Sequence, residues 1–242
     1  MILPRQFFVT GTDTYVGKTF ACAVLALGLN TKYWKPIQSG TINGTDTDWI
    51  RRTTRLPEEN FYHELYRLKE PLSPHAAAKI DGVDIDITSI KLPGTTDERL
   101  IVEGAGGVMV PINDKQFVLD IIKTLALPVV VVARSGLGTI NHTVLTVNCL
   151  RSAGLEIAGI IMNGVRNPGN KAAIEYYGKV RVIAEIEPID VISRDALLTI
   201  FNQQFAISVP GMGESQTPAA NDTNVAPVAQ RAESVQSEAA TR

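Results

Sequence analysis

The sequence predicts an α/β protein, a doubly wound and mainly parallel sheet with helices on both faces. Three observations carry this. Short apolar runs without polar alternation recur along the chain, amphipathic stretches separate them, and glycine-containing turns follow several of the runs. Runs of this kind suit strands covered on both faces, and their alternation with helices suits parallel pairing through crossovers. Strands are expected at residues 7–10, 33–36, 100–103, 129–133, 157–162 and 180–183, with helices near 18–29, 48–55, 117–126, 139–153, 170–178 and 193–205. Ligands of such folds bind beyond the carboxyl ends of the strands, where the motifs below fall.

The first strand, Phe7-Phe8-Val9-Thr10, runs into Gly11-Thr12-Asp13-Thr14-Tyr15-Val16-Gly17-Lys18-Thr19, and Phe20, Ala21, Val24 and Leu25 then repeat at helical spacing. Strand, glycine-bounded loop, Gly-Lys-Thr and helix form a phosphate loop. Its backbone amides turn on phosphate oxygens and its helix start favours anions, while the lysine bridges β- and γ-phosphates and the hydroxyl reaches magnesium. Lys18 and Thr19 supply the last two. Five residues separate Gly11 from Gly17, where the common loop has four.

The second expected strand leads through Trp34-Lys35-Pro36 to Ser39-Gly40, which places Lys35 beside the phosphate loop if the strands are neighbours. There it would serve as a second cation for a transferred phosphate. Asp46 and Asp48 precede the helical stretch 49–54; both suit helix capping, and Asp48 is the favoured metal ligand of the two.

Leu100-Ile101-Val102-Glu103 is an apolar strand ending in an acid and a glycine-rich turn that includes Gly106, so Glu103 stands where a nucleotide fold needs a carboxylate for magnesium. After the strand at 129–133, Ser135 to His142 opens another helix, and free amides there suit a carboxylate or phosphate as well as they suit ordinary capping. Asn163 closes the next strand, and its amide matches either adenine or turn chemistry. His63, His75 and His142 show no metal spacing.

The 242 residues are 45% apolar and 20% charged with a net charge of -2, which gives no basic surplus for nucleic acid or an anionic membrane. Cys22 and Cys149 lie in apolar helical patterns, so neither a disulfide framework nor a cysteine metal site is expected. Without a membrane-length apolar run or a leader-like N-terminus, the chain is expected to be soluble and cytoplasmic. From Val209 to Arg242 there is no aromatic residue, Leu or Ile, so a single domain is expected over 1–206 with a disordered tail over 207–242.

With these pieces in order the chain closely resembles the dethiobiotin synthetases. The match is carried by Gly11-Thr12-Asp13-Thr14-x-Val16-Gly17-Lys18-Thr19, Lys35-Pro36-x-x-Ser39-Gly40, Pro71-x-Ser73-Pro74-His75, Val102 to Gly107, Gly138-Thr139-Ile140-Asn141-His142, and Asn163. Beyond about 185 the match thins, since Ala184-Glu185-Ile186-Glu187-Pro188 stands where family members tend to show a Gly-Glu-Ile-Pro-like stretch. Tyr15 occupies a loop position that is often acidic in the family.

The resemblance implies a sheet of the P-loop NTPase type and an ATP- and Mg2+-dependent ring closure. In it 7,8-diaminopelargonic acid and CO2 give dethiobiotin, ADP and phosphate, by way of a carbamate and a carbamic-phosphoric anhydride. It implies nucleotide contacts from Asp13, Thr14, Tyr15, Val16, Gly17, Lys18, Thr19, Glu103, Gly106 and Asn163, and metal contacts from Thr19, Asp48 and Glu103. Lys18, Lys35, Thr14 and Ser39 would be catalytic. Ser39, Gly138, Thr139, Ile140, Asn141 and Tyr176 would hold the substrate, the last five across a homodimer with composite sites.

A P-loop switch ATPase of the partitioning or septum-positioning kind is the alternative. Such proteins carry an extra lysine early in the loop, where this chain has Thr12, Asp13 and Thr14. The cobyrinic acid amidating synthetases would need a glutamine-hydrolysing domain for which the tail is too short.

Overall fold

The computed structural model describes residues 3–205, and the tail expected from 207 lies outside the described residues. In the main sheet β1 (Gln6–Gly11) is central. To one side lie β6 (Leu100–Gly107), β2 (Lys32–Trp34) and β4 (Phe61–Tyr62). To the other lie β7 (Val129–Arg134), β8 (Ile157–Asn163) and β9 (Val182–Ile186). Every neighbouring pair is parallel. A separate parallel pair joins β3 (Ile37–Ser39) to β5 (Tyr66–Leu68).

Successive strand residues point to opposite faces, so each apolar strand feeds two cores. Phe8, Val102, Val131 and Ile160 enter one core, where α3 (Pro74–Asp81), α4 (Val118–Leu125), α5 (Thr139–Ser152) and α6 (Pro168–Gly178) supply Ala77, Ile122, Val147 and Ile174. Phe7, Val9, Ile101 and Val132 enter the other, where α1 (Lys18–Leu29), α2 (Asp46–Thr54) and α7 (Arg194–Phe205) supply Leu25, Ile50 and Phe201. Helices therefore cover both faces, as the patterning predicts.

Three expectations need correction. The run at 33–36 is not one strand: β2 ends at Trp34, and Pro36, which has no amide to donate, stands where the chain leaves the main sheet for β3. The last strand lies at Val182–Ile186 rather than 180–183. β1 and β2 are also not neighbours, because β6 lies between them and pairs with both, at Val9 with Glu103 and Trp34 with Val102.

Candidate active site

The insertion of β6 gathers the chemistry. Past the end of β1, the Thr12 amide donates to the Val132 carbonyl at 2.9 Å and ties the loop to β7. Asp13 then accepts twice, from the Thr14 amide at 2.7 Å and from Arg134 at 2.5 Å. Lys18 Nζ reaches back to the Asp13 carbonyl at 3.3 Å, which ties the lysine to its own loop. Gly17 caps α1 at φ 92°, a left-handed conformation that glycine adopts without a side-chain penalty. A Cβ there would run into the side-chain amide of Asn163, whose Nδ2 donates to the Val16 carbonyl at 3.1 Å.

The second half is a buried acid with three hydrogen-bond donors. Glu103 is fully buried. Its Oε1 accepts from Thr19 Oγ1 at 2.9 Å and Lys35 Nζ at 3.1 Å, and its Oε2 accepts from the Tyr33 hydroxyl at 2.9 Å. Lys35 also binds Asp46 Oδ2 and so bridges two carboxylates. Burial alone would pull the Lys35 pKa down, but the charges and hydrogen bonds of Glu103 and Asp46 outweigh it and hold the ammonium well above its usual range. For Lys18 burial wins over the attraction of Glu103, and its pKa is lowered.

Asp46 is the carboxylate that reaches the cleft, and the choice of Asp48 is corrected. Asp48 Oδ2 accepts the Thr45 amide at 3.2 Å while Thr45 Oγ1 accepts the Asp48 amide at 3.0 Å, a capping box, and Oδ1 pairs with Arg51 at 2.9 Å. Asp46, at the first position of the same helix, is fixed by its amide donating to Gln38 Oε1 at 3.1 Å.

A cleft of about 540 Å³ brings together Thr14, Tyr15, Gly17, Lys18, Thr19, Lys35, Ser39, Glu103 and Gly106, with Asp46, Gln38, Ser73 and Pro74 added. Ser39 Oγ is buried there with no hydrogen-bond partner among the described residues. Tyr15, at φ 58°, is 97% exposed at the rim. Asp13, Val16 and Asn163 do not line the cleft, nor do Gly138, Thr139, Ile140, Asn141 and Tyr176 of the same chain. The Thr139 hydroxyl donates to the Arg134 carbonyl and its amide to Gly136 at 3.2 Å, so its side chain is committed to its own turn. Tyr176 is exposed against Tyr177.

Sequence reasoning passed over three of these residues and ranked Asp46 behind Asp48. Thr45-x-x-Asp48 is itself a capping-box spacing and would have released Asp46 for the cleft. Tyr33 and Arg134 gave no local signal, because their partners lie 70 and 121 residues away, and Gln38 reaches Asp46 only eight residues on but belongs to no motif that marks it.

A strand-to-helix loop carrying an inward lysine and a hydroxyl, opposite a buried acid on the adjacent strand, is the arrangement that handles a magnesium nucleotide, and fold and site together define an ATP-using P-loop enzyme. A family described as AAA domain matches residues 5–196. A solved MinC:MinD cell division complex from Aquifex aeolicus has the same fold, with a TM-score of 0.50, 12% identity and coverage of 87% of this chain and 99% of that one. The ATP-dependent dethiobiotin synthetase BioD of Paramagnetospirillum magneticum is 49% identical, covering 78% of this chain and 91% of the relative. The enzyme of that name from Lawsonia intracellularis is 46% identical over 81% of this chain and 94% of its own. The chain belongs to the ATP-dependent dethiobiotin synthetase family.

Proposed function

We propose that the chain closes the ureido ring of dethiobiotin from 7,8-diaminopelargonic acid and CO2, at the expense of ATP, in biotin biosynthesis. The observation that supports this most is the row of Lys18, Thr19, Glu103, Lys35 and Asp46 along one cleft wall, with the free Ser39 hydroxyl beside it. One amine captures CO2 as a carbamate, a carbamate oxygen attacks the γ-phosphate, and the second amine displaces phosphate from the mixed anhydride. Each step moves negative charge, so the protein's part is positioning and electrostatic stabilisation. Lys18 holds the β- and γ-phosphate oxygens. Lys35, kept charged by its two carboxylates, faces the carbamate and the phosphate it receives, and Ser39 and Thr14 orient the carbamate.

The donor set fits magnesium: one hydroxyl and two carboxylates are hard oxygen ligands, few enough to leave positions for phosphates and water. Thr19, Glu103 and Asp46 would hold the ion, which supplies charge that offsets the transferring phosphate. Asn163, at the far side of the loop, is the base-contact candidate.

The substrate's distant carboxylate needs an anion site, and the segment from Gly138 to Asn141 suits it only across a subunit boundary, because within one chain it lies outside the cleft. A homodimer with composite sites follows, with Tyr176 on the same contributing subunit. Leu137, fully exposed beside that helix start, is an apolar anchor for such a contact. No described helix is long and apolar enough to cross a membrane, and the reading places the enzyme in the cytoplasm. The test is phosphate release from ATP and Mg2+. It should require the diamine and bicarbonate together, and rapid release indifferent to both would point to a switch ATPase instead.

A further inference from the structure

The structure assigns Tyr33 a role in the reaction: it is a positioning residue that clamps Glu103 Oε2, so that Oε1 alone is presented to the metal site. This rests on the reading of Glu103 as a magnesium ligand. Tyr33 pairs with Ile101 across β2 and β6, and Glu103 lies two residues further along β6 on the same face. That diagonal spacing is within reach of an aromatic side chain. The Tyr33 ring is fully buried and held edge-to-face against Phe61, with centroids 6.4 Å apart. A phenylalanine would fill the same space, and the one partner of the hydroxyl among the described residues is Glu103, at 2.9 Å.

The phenol can only donate here. A phenol hydroxyl facing a carboxylate oxygen donates its proton, and the carboxylate oxygen accepts. The hidden oxygen of Glu103 thus meets one neutral phenol while its other oxygen meets Thr19 and Lys35. Groups that hydrogen-bond a metal-ligating carboxylate set its orientation and commonly change metal affinity by 10- to 100-fold when removed. Tyr33 thereby holds Oε2 and leaves Oε1 as the oxygen that would meet the ion.

Two measurements on the full-length protein test this without turnover. In the first, wild-type enzyme carries ¹³C at the hydroxyl-bearing ring carbon of its tyrosines, assigned by substituting the other five of the six in turn. Adding Mg2+ to the ADP complex should move the Tyr33 signal as Oε1 takes up the ion, and an unmoved signal overturns the proposal. In the second, Mn2+ binding to the ADP complex is followed by electron paramagnetic resonance in wild type, Tyr33→Phe and Glu103→Gln. Tyr33→Phe should bind Mn2+ about tenfold more weakly, with Mg2+-free ADP affinity unchanged. If Glu103→Gln weakens Mn2+ binding and Tyr33→Phe does not, Tyr33 is structural only and the reading of Glu103 stands. If neither variant weakens it, that reading fails and the clamp with it. Should Tyr33→Phe not fold, the wild-type resonance alone decides.

Discussion

Thr19 Oγ1 donates to Glu103 Oε1 at 2.9 Å, so the first turn of α1 and the acid on β6 meet on one wall of the cleft. A hydroxyl and a carboxylate 84 residues apart in sequence are thus brought together by strand order.

Lys18→Ala should lower turnover by about two decades or more, because it removes a charge placed against the transferring phosphate. Single-turnover phosphate release at saturating ATP measures this, and a loss confined to KM would assign Lys18 to binding alone.

Lys35→Met leaves Glu103 and Asp46 facing each other without their shared cation. Breaking a buried ion pair from one side costs about 3–5 kcal/mol. The melting temperature should fall at neutral pH, and millimolar Mg2+ should recover part of it while turnover stays lost. A raised lysine pKa contributes stability that is complete below the unfolded value of about 10.4 and is lost only as pH rises through the folded one. The lysine's contribution should therefore stay level from pH 6 to pH 9, which thermal melts across that range would show.

Asp46→Asn and Asp48→Asn should separate chemistry from capping. The first should raise the Mg2+ concentration needed for half-maximal turnover with little change in melting temperature. The second should keep turnover and cost about 0.3–1 kcal/mol, since asparagine keeps an oxygen for the Thr45 amide but loses the negative charge in the helix's first turn. Although partial burial alone would raise the Asp48 pKa, its hydrogen bonds to Thr45 and the charge of Arg51 lower it overall. Its contribution is therefore present above the unfolded value and lost as pH falls through the lower folded one, so the difference between Asp48→Asn and wild type should shrink below about pH 4.

Gly17→Ala combines a left-handed backbone at φ 92° with a Cβ aimed at the Asn163 amide. The conformation alone costs roughly 1–2 kcal/mol. ADP affinity should drop at least tenfold, and Asn163→Ala in the same chain should restore part of it by vacating the space; titration calorimetry on the single and double variants would check both.

The composite site calls for complementation. Asn141→Pro removes an amide donor at a first-turn position where no intrahelical bond is lost. Mixed with Lys18→Ala subunits, it should regain up to about a quarter of wild-type turnover, since random exchange makes half the dimers mixed, each with one intact site of two. An inactive mixture with subunit exchange demonstrated, or an active monomer, would overturn the shared site.

The phosphate loop and Glu103 were legible because their signals are local: a strand running into glycines and Gly-Lys-Thr, and an apolar run ending in an acid. The Lys35–Glu103 contact was not, because it depends on β6 being placed between β1 and β2, and strand order leaves no mark in a single run of residues. Asp46 and Asp48 share one helical turn, so only the capping box separates their roles. Short elements escaped for lack of length: two residues of β4 and three of β5 carry no period, although Ser73-Pro74 before α3 and Gly82 after it are start and stop signals.

The position of β6 also bears on how the protein is made. Both neighbours of β1 come from later in the chain, β6 beginning at Leu100 and β7 at Val129, so the first strand synthesised waits with both edges bare while about a hundred residues follow. An N-terminal fragment ending before Leu100 holds the whole phosphate loop and Lys35 yet cannot assemble the pair, and on the ribosome its Phe7-Phe8-Val9 edge is a surface for chaperones or for another nascent chain.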